Sequence, residues 1–410
     1  MTHDTNIPQG YKATALGIIP QEWEVMRLGD IVSITSGESP SLYHLKAKGK
    51  YPYVKVEDLN NCEKYQESSR EYSDDNNTTI KAGSIIFPKR GASILNNKVR
   101  IAAKDIQMDS NMMAITPHTA IVDTEFLYIR ILHERLYRIA DTSSIPQINN
   151  KHIIPYKIAV PPLAEQRKIA EVLGVWDEAI EKQARLIEKL ALRKRALMQR
   201  LLSAKLRLPG FSEPWQKVKL GEIGKFDKGY GVPKESIRNT GNKAITYGEI
   251  YTKHDFVIKK FTSYIDDETA VTSKKITQGA ILFTGSGETL EDIGKCVAFI
   301  DNDIAYAGGD IIIFNPSIEI NSLVLSYCLN SAPVNAQKAT YGQGHSVVHI
   351  YQKDLAKLQV TIPSFSEQTA IAEVLTAADR EIELAKEKLE RLRRQKRGLM
   401  QQLLTGKKRI

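Results

Sequence analysis

The sequence predicts two mixed α/β globular domains and two long helices that pair as a coiled coil. Three observations lead to this prediction: an internal repeat, a heptad pattern in both copies of one segment, and short strand-like runs elsewhere. The chain has 410 residues, enough for about two to four domains. Its 42% content of apolar residues suffices for sizeable cores and excludes a disordered or collagen-like chain.

The internal repeat is clearest at an offset of 202 residues, where residues 165–202 match residues 367–404 at 19 of 38 positions. Nearer the N-terminus the offset shortens to 192, and Trp23 there parallels Trp215. A drifting offset indicates insertions in a variable part, so each half-repeat is a globular part followed by a constant helical segment. The predicted boundaries are 1–160 and 208–362 for the globular parts, and 161–207 and 363–410 for the helical segments.

Apolar residues in both helical segments recur at alternating spacings of three and four, the pattern of a coiled coil. About 40 helical residues at 1.5 Å each give a rod of roughly 60 Å. Lys194 and Gln183 break the pattern in the first copy and Lys396 in the second, and Ser366 is the predicted N-cap of the second helix. A lone helix cannot bury such a stripe, although an ordinary amphipathic core helix is the alternative. The predicted helix–helix contacts are Ile169, Leu173, Trp176, Ile180, Ile187, Leu190, Leu197, Leu201, Ile371, Leu375, Ile382, Leu389, Leu392, Leu399 and Leu403.

The globular parts contain short apolar runs bounded by turn residues, which predict strands. Helices interleave with these strands, one from Thr124 to Tyr137 and its counterpart from Ser322 to Asn330. Both parts are therefore predicted to be mixed α/β. The clearest strand candidates are residues 53–56, 84–87, 280–283 and 310–314.

The net charge of +9 is confined to the two helical segments. Residues 164–207 carry +5 and residues 366–410 carry +4, whereas the rest of the chain has 35 charges of each sign. The globular parts therefore have no uniform basic coat for phosphate. Three cysteines without a C-x-x-C pair predict a reducing cytoplasm with no disulfide framework and no structural zinc. No apolar run is long enough for a membrane span, and no secretion signal opens the sequence.

Catalytic motifs are sparse. Residues 283–287 resemble the F-x-G-x-G turn that holds S-adenosylmethionine in DNA methyltransferases, but no N-P-P-[YF] follows, and a small-residue turn beside a ligand is favoured. Residues 294–295 lack the glycine of a P-loop, and the eight histidines have no metal-ligand spacing. Acidic groups at 74–75 and 266–268 are interpreted as solvated. The sequence therefore argues against an enzyme acting alone, and no catalytic or metal-binding residue is predicted.

Basic and polar clusters at comparable places in both halves suit DNA. Lys and Arg bind phosphates and guanine edges, Asn and Gln bind adenine edges, and Ser binds phosphates. A solvated surface is the favoured interpretation of any single cluster, but similarly placed clusters in both halves favour DNA. The candidates are, in the first half, Tyr43, Lys46, Lys48, Lys50, Lys55, Lys89, Arg90, Ser93, Asn96, Asn97, Lys98, Ser143, Ser144, Gln147, Asn149, Asn150 and Lys151 and, in the second half, Lys228, Tyr230, Lys234, Tyr247, Thr284, Ser286, Tyr341, Gln343, His345, Ser346, His349, Gln352 and Lys353.

A family resemblance rests on duplicated motifs. Residues 161–170 read PPLAEQRKIA and residues 362–368 read IPSFSEQ, while LMQRLL at 197–202 recurs as LMQQLL at 399–404. A further motif is WQKVKLGEI at residues 215–223, which opens the second globular part. With these motifs the chain resembles, over essentially its whole length, the DNA-specificity (S) subunit of type I restriction–modification systems.

The resemblance implies a non-catalytic, cytoplasmic subunit with two target-recognition domains, 1–160 and 208–362. Each domain would read one half of a bipartite asymmetric site on double-stranded DNA. The helices would pair antiparallel with a pseudo-twofold repeat, set the spacer, and dock two methyltransferase (M) subunits that restriction (R) subunits join. The complex would direct adenine methylation and restriction. S-adenosylmethionine, ATP and Mg²⁺ would bind the partners and not this chain.

Three alternatives remain open at this point. The chain could be a coiled-coil scaffold that does not bind DNA, a fused methyltransferase with an atypical site, or an orphan specificity subunit of a methylation-only system. A missing sequence preference would indicate the scaffold, and binding of S-adenosylmethionine by the isolated chain would indicate the methyltransferase. Neighbouring genes or ATP-dependent cleavage would separate the orphan from a complete restriction system.

Overall fold

The computed structural model describes residues 7–142, 144–344 and 347–410. The chain forms two compact units, which we call unit 1 (residues 1–184 and 387–410) and unit 2 (residues 185–386). The predicted globular parts 1–160 and 208–362 fall in separate units. Each long helix begins in one unit and ends in the other, so each unit contains parts of both helices.

Unit 1 is built around a five-stranded sheet of order β4-β11-β8-β9-β6 and a three-stranded sheet of order β10-β5-β7. Its strands are β1 Tyr11–Thr14, β2 Gly17–Pro20, β3 Glu24–Arg27, β4 Val32–Ser36, β5 Tyr51–Val54, β6 Tyr65–Gln66, β7 Tyr72–Ser73, β8 Ile85–Pro88, β9 Arg100–Ala102, β10 Gln107–Met108, β11 Met112–Pro117 and β12 Lys157–Val160. Its helices are α1 Leu28–Ile31, α2 Thr124–Glu134, α3 Leu136–Ile139, α4 Asn150–Ile153 and the start of α5 Leu163–Leu202. Short 3₁₀ helices cover Pro40–Leu42, Val56–Asn60 and Ala92–Ile94.

Unit 2 repeats this plan with two four-stranded sheets, β14-β22-β18-β20 and β16-β15-β21-β17. Its strands are β13 Gln216–Lys219, β14 Gly224–Lys228, β15 Asn242–Ile245, β16 Ser263–Ile265, β17 Lys274–Ile276, β18 Ile281–Thr284, β19 Ser286–Gly287, β20 Cys296–Ala298, β21 Ala305–Ala307, β22 Ile311–Pro316, β23 Val348–His349 and β24 Gln359–Ile362. Its helices are α6 Leu220–Ile223, α7 Tyr247–Thr252, α8 Asp267–Val271, α9 Ser322–Leu329, α10 Ala332–Tyr341, α11 Gln352–Leu355 and the start of α12 Phe365–Leu404, with a 3₁₀ helix at Lys234–Ser236.

The predicted strands are present, with small shifts in their bounds. The run at 53–56 is shorter than predicted, because β5 ends at Val54 and a 3₁₀ helix begins at Val56. The helix predicted from Thr124 to Tyr137 is interrupted, since Arg135 adopts a φ of 64° that ends α2 and starts α3. Within the described residues, no helix is both long and apolar enough to cross a membrane.

The predicted long helices are α5 and α12, each of 40 residues. The predicted N-cap at Ser366 is wrong, because α12 already begins at Phe365. The backbone N–H of Gln368 donates to the carbonyl of Ser364 at 2.9 Å, so the first turn starts before Ser366. Ser366 Oγ instead lies 3.2 Å from Ser364 Oγ.

In both units the two helices pair antiparallel. In unit 1, Ile169 and Leu173 of α5 share one core with Leu403 of α12. In unit 2, Leu201 of α5 shares a core with Ile371 and Leu375 of α12. Other predicted seam residues are half-buried, namely Trp176, Ile180, Ile187, Leu197, Ile382, Leu392 and Leu399, whereas Leu190 and Leu389 are buried.

The residues interpreted as breaks in the heptad lie inside the seam. Gln183 is buried, and the ammonium of Lys194 pairs with Asp379 Oδ1 at 2.6 Å. Lys396 pairs with Asp177 in the same way in unit 1. The repeat offset of 202 relates these two pairs, so a matched ion pair crosses the helices once in each unit.

The repeated Glu-Gln motif ties each helix start to its globular part. Gln166 Oε1 accepts the N–H of Asp123 at 2.7 Å, and its amide donates to the carbonyl of Pro161 at 2.8 Å. In unit 2, Gln368 makes the same bonds to Asn321 and Pro363. The motif therefore fixes the start of the long helix against α2 or α9, which Asp123 and Asn321 cap.

The glutamate of this motif binds a tryptophan and an arginine. Glu165 accepts a hydrogen bond from Trp23 Nε1 at 3.0 Å. Two guanidinium nitrogens of Arg409 also donate to its carboxylate, at 2.6 and 2.9 Å. Glu367 makes the equivalent bonds in unit 2, at 3.1 Å from Trp215 Nε1 and 2.6 and 2.8 Å from Arg207. We call these two groups the carboxylate clamps. Each anchors the chain that follows a long helix to the start of the other helix.

Candidate nucleic-acid interface

One edge of unit 1 brings together two of the predicted DNA-binding clusters. The loop after β8 lies beside the loop before α4: Ile148 N–H donates to the carbonyl of Lys89, and Gly91 N–H donates to Pro146, both at 2.9 Å. A further pair of 2.9 Å bonds joins Asp141 and Gln147 into a small hairpin. We call residues 89–91, 141–142 and 144–148 the hairpin edge of unit 1.

Unit 2 has the same edge with the same bonds. Ile350 N–H donates to the carbonyl of Gly285 at 2.9 Å, and β19 pairs with β23 so that Ser286 faces His349. Bonds of 2.9 and 2.8 Å join Gln343 and His349 as Asp141 and Gln147 are joined in unit 1. We call residues 285–287, 343–344 and 347–350 the hairpin edge of unit 2.

The hairpin of unit 2 requires a glycine at its turn. Gly344 has a φ of 120°, and a Cβ there would lie 2.1 Å from the carbonyl oxygen of Val347. A side chain at this position would therefore force the hairpin open. The sequence places this glycine where the two strands of the hairpin approach each other.

Cations and amides of the unit 1 edge are accessible. Arg90 is exposed and Lys89 is half-buried, and no ion pair is found for either among the residues that the structure describes. Burial lowers the pKa of Lys89. Gln147 is half-buried beside Arg90, so a guanidinium and an amide lie on neighbouring strands. Guanidinium groups bind guanine edges and phosphates, and amides bind adenine edges, so this pair can read bases. Ser144, Asn149, Asn150 and Lys151 continue the same surface and are exposed.

Two of the four lysines predicted to bind DNA at 46–55 are paired with acidic residues. Lys46 Nζ lies 2.6 Å from Asp74 Oδ2, and Lys55 pairs with Glu71. Asp74 also accepts the backbone N–H of Lys50 at 2.6 Å. The acidic stretch that had been interpreted as merely solvated thus supplies the partners of this cluster. Lys48 remains exposed.

Some predicted contacts are internal to the fold. Tyr43 is buried, stacks on Tyr53 with ring centroids 4.8 Å apart, and donates to Glu38 Oε2 at 2.6 Å. Burial also raises the pKa of its phenol. The amide of Asn97 donates to the carbonyl of Leu132 at 3.0 Å and accepts the N–H of Leu136 at 2.9 Å. The hydrogen bonds of these two side chains are therefore made within the fold.

The stretch at 283–287 forms strands and not the predicted small-residue turn. Thr284 is buried in β18 and donates to the hydroxyl of Tyr251 at 2.8 Å, so its side chain is not accessible to a ligand. Gly285 N–H donates to the carbonyl of Asp310 at 2.6 Å. Ser286 is buried as well, and its backbone pairs β19 with β23 opposite His349.

The remaining candidates are distributed over the surface. Tyr341 is half-buried beneath Lys357, whose ammonium lies 5.3 Å from the ring centroid, and Gln352 is half-buried. Ser93 and Lys98 are half-buried. Ser143, His345 and Ser346 lie outside the described residues. The exposed candidates are Asn96, Lys228, Tyr230, Lys234, Tyr247, Gln343, His349 and Lys353.

Two exposed apolar residues at the hairpin edges were missed as candidates. Ile145 is 60% exposed and Val347 is 50% exposed. The signal was present, because the offset of 202 relates these positions as it relates Gln147 to His349. Within the described part of the chain, no group of three His, Cys, Asp or Glu side chains is placed to hold a metal ion.

Comparison with known proteins identifies the family. A family model described as the type I restriction modification DNA specificity domain matches residues 20–191 and again residues 212–394. The chain belongs to this family. Two matches in one chain also confirm the predicted internal repeat.

Relatives and solved structures agree with this family. The chain is 25% identical to the type I restriction enzyme MjaVIII specificity subunit of Methanocaldococcus jannaschii, over 96% of this chain and 94% of the relative. The S subunit of a type I restriction–modification system from M. genitalium has a TM-score of 0.55 at 17% identity, over 98% of both chains. A chain from a structural study of assembly and conformational transition of a type I R-M system has a TM-score of 0.64 at 18% identity, over 95% of this chain and 99% of the other. These structures share the mixed α/β fold with long helices.

Proposed function

We propose that this chain is the DNA-specificity subunit of a type I restriction–modification complex. Each unit reads one half of a bipartite asymmetric site on double-stranded DNA, and the complex directs adenine methylation and restriction at that site. The chain itself is not an enzyme and works in the cytoplasm, where chromosomal DNA lies. Its role is recognition.

The matched hairpin edges carry this proposal. The backbone hydrogen bonds are the same in both units, but the side chains differ. Arg90 and Gln147 of unit 1 are replaced in unit 2 by a buried Ser286 and an exposed His349. A constant frame that presents different base-reading groups is what two different half-sites require. A scaffold that bound only protein would have no need for this combination.

We assign the docking of methyltransferase subunits to the long helices. Val175, Leu192 and Leu384 are 63%, 60% and 47% exposed on α5 and α12, although the seam buries the other apolar face. Exposed apolar residues on a helix pair suit a protein partner. Two M subunits and their R subunits complete the complex. S-adenosylmethionine, ATP and Mg²⁺ belong to those partners.

Methylation mapping tests the proposal. The chain is co-expressed with its methyltransferase in a methylation-free host, and methylated bases are mapped on single molecules. We expect two short blocks around a fixed unread gap. Gln147→Ala should relax one block by roughly tenfold in base discrimination, because one bidentate amide contact contributes about 1–3 kcal/mol. His349→Ala should relax the other block by less, because an imidazole makes a single hydrogen bond to a base edge.

Two outcomes would contradict this assignment. A soluble, assembled complex that methylates no DNA would favour the scaffold. If a variant fails to assemble with its partners, the substituted residue does not act by reading a base. Lys260→Ala, an exposed substitution outside both hairpin edges and outside the predicted DNA contacts, serves as the control and should leave both blocks unchanged.

A second prediction concerns the spacer, which we propose that the helices set. Seven residues inserted after Ala184 and seven after Lys386 add one heptad to both helices at equivalent points. The helices lengthen by roughly 10 Å, so the unread gap should grow by up to about three base pairs. Mapping should show both blocks with unchanged letters. Altered letters within a block would contradict a spacer role.

A further inference from the structure

Both hairpin edges end in an exposed β-branched residue at the same position. Ile145 and Val347 lie two residues before Gln147 and His349 and are 60% and 50% exposed. Single apolar residues are common on protein surfaces. Here, however, the same position is apolar and exposed in both halves.

The surroundings of these residues indicate which partner they meet. The backbones of Gln147 and His349 form the β-bridges that close the two hairpins. The backbone of Arg90, on the neighbouring strand, forms a β-bridge with Gln147. The major groove admits a two-stranded ribbon, and its base edges are the ones that amide and guanidinium groups discriminate. A hairpin that inserts these polar groups also brings the apolar residue into the same groove.

An apolar side chain cannot read a base by hydrogen bonding. Thymine alone among the four bases presents a methyl group in the major groove, and apolar contacts to it are a known form of base readout. Wedge residues that unstack bases act mainly from the minor groove, where the amide and guanidinium code is degenerate. The combination of polar β-bridge residues with an apolar tip therefore favours the methyl contact.

We propose that Ile145 and Val347 each contact the C5 methyl group of a thymine in the half-site that their unit reads. The inference rests on the proposed function and adds a specificity-determining residue to each unit. Gln147 then reads a base next to that thymine in unit 1, and His349 does so in unit 2. Each hairpin combines one polar and one apolar contact.

The test uses the full chain assembled with its methyltransferase and duplexes that carry the mapped site. Deoxyuridine replaces each thymine in turn, which removes only the methyl group, and DNA affinity is measured by fluorescence anisotropy. In each half-site we expect one position at which deoxyuridine weakens binding roughly fourfold, the fold-change that corresponds to burial of one methyl group. Ile145→Ala should weaken binding to the same extent and abolish the deoxyuridine effect in the half-site read by unit 1.

The variants form matched sets. Val347→Ala should abolish the effect in the other half-site only, and Ile145→Val, which keeps a branched side chain, should retain most of it. Val271→Ala removes an exposed valine of the same unit away from the hairpin edge, and the deoxyuridine effect should persist. Native mass spectrometry of each complex reports its assembly.

Four results would overturn the inference, and a fifth would overturn the function on which it rests. A deoxyuridine penalty that survives in Ile145→Ala would place the methyl contact elsewhere. Loss of assembly in Ile145→Ala would indicate a protein contact, and 2-aminopurine fluorescence that rises on binding only with Ile145 present would indicate a wedge. Binding without any deoxyuridine effect would refute the methyl contact alone, whereas a wild-type complex without a bipartite site would refute the proposed function.

Discussion

Glu165→Gln and Glu367→Gln should each lower the free energy of unfolding of their own unit by about 3 kcal/mol. Both carboxylates are buried, with exposures of 7% and 2%, and each is held by a tryptophan Nε1 and a guanidinium fork. The substitution leaves the arginine beside a neutral amide that cannot accept both arms of the fork. Breaking a buried ion pair from one side is costly because the remaining charge is left without its partner.

The loss should be larger in unit 2. Arg207 is 25% exposed and its remaining bond is to the neutral carbonyl of Glu213. Arg409 is 38% exposed and keeps an ion pair with Glu22 at 2.7 Å. Calorimetry of the full chain measures the effect, because about 3 kcal/mol lowers the melting temperature of a unit of this size by roughly 6–12 °C. Glu171→Gln and Glu373→Gln provide matched controls at exposed positions of the same two helices. If the clamp variants melt at the same temperature as their control variants, the carboxylate clamps do not stabilise the units.

Local periodicity explains why the long helices could be predicted from sequence. A heptad is visible in a single segment, and duplication of the segment strengthens it. The partners of Lys194 and Lys396 could not be predicted in this way, because Asp379 and Asp177 lie 185 and 219 residues away along the chain. Only the helix register shows that a charged residue in an apolar pattern faces an opposite charge and is not a defect.

The hairpin edges were partly predictable for a similar reason. Their loops recur at fixed offsets, so the sequence placed Arg90, Gln147 and His349 at comparable points of the two halves. Burial and charge pairing depend on how the chain folds, and they explain why some candidates make internal contacts. Tyr43 faces Glu38 inside the fold, and β5 pairs with β7, which brings Lys55 to Glu71. Two lysines of this basic cluster are therefore paired with acidic residues in the structure.

Reversing one charge of a seam pair should destabilise the helix pairing strongly. In Asp379→Lys a second ammonium would stand beside Lys194, which is only 13% exposed, and near Lys259, at 3.8 Å from the present carboxylate. We expect a loss of about 3–5 kcal/mol in unit 2, because the variant leaves a largely buried cation opposite a like charge. Asp177→Lys should act in the same direction in unit 1, but less strongly, since Asp177 is 44% exposed.

Exchanging the two charges of a seam pair distinguishes their mutual attraction from their interactions with neighbouring residues. Lys194→Asp combined with Asp379→Lys restores the attraction, and Lys396→Asp with Asp177→Lys does so in unit 1. A double-mutant cycle from thermal unfolding should give a coupling of about 1–3 kcal/mol for each pair. The exchange should be less complete in unit 2, because Tyr327 donates its hydroxyl to Asp379 at 3.2 Å and Lys259 would then face a lysine.

An exposed ion pair on α5 provides the reference value for this double-mutant cycle. Glu178 and Lys182 lie 3.1 Å apart with about 70% of each side chain exposed, and their exchange should give a coupling of only about 0.3–0.5 kcal/mol. If the seam pairs couple no more strongly than this control, the apolar seam alone sets the antiparallel register. If they couple as expected, one partly buried ion pair in each unit fixes that register, since a shift by one helical turn would separate both pairs while leaving many apolar contacts possible.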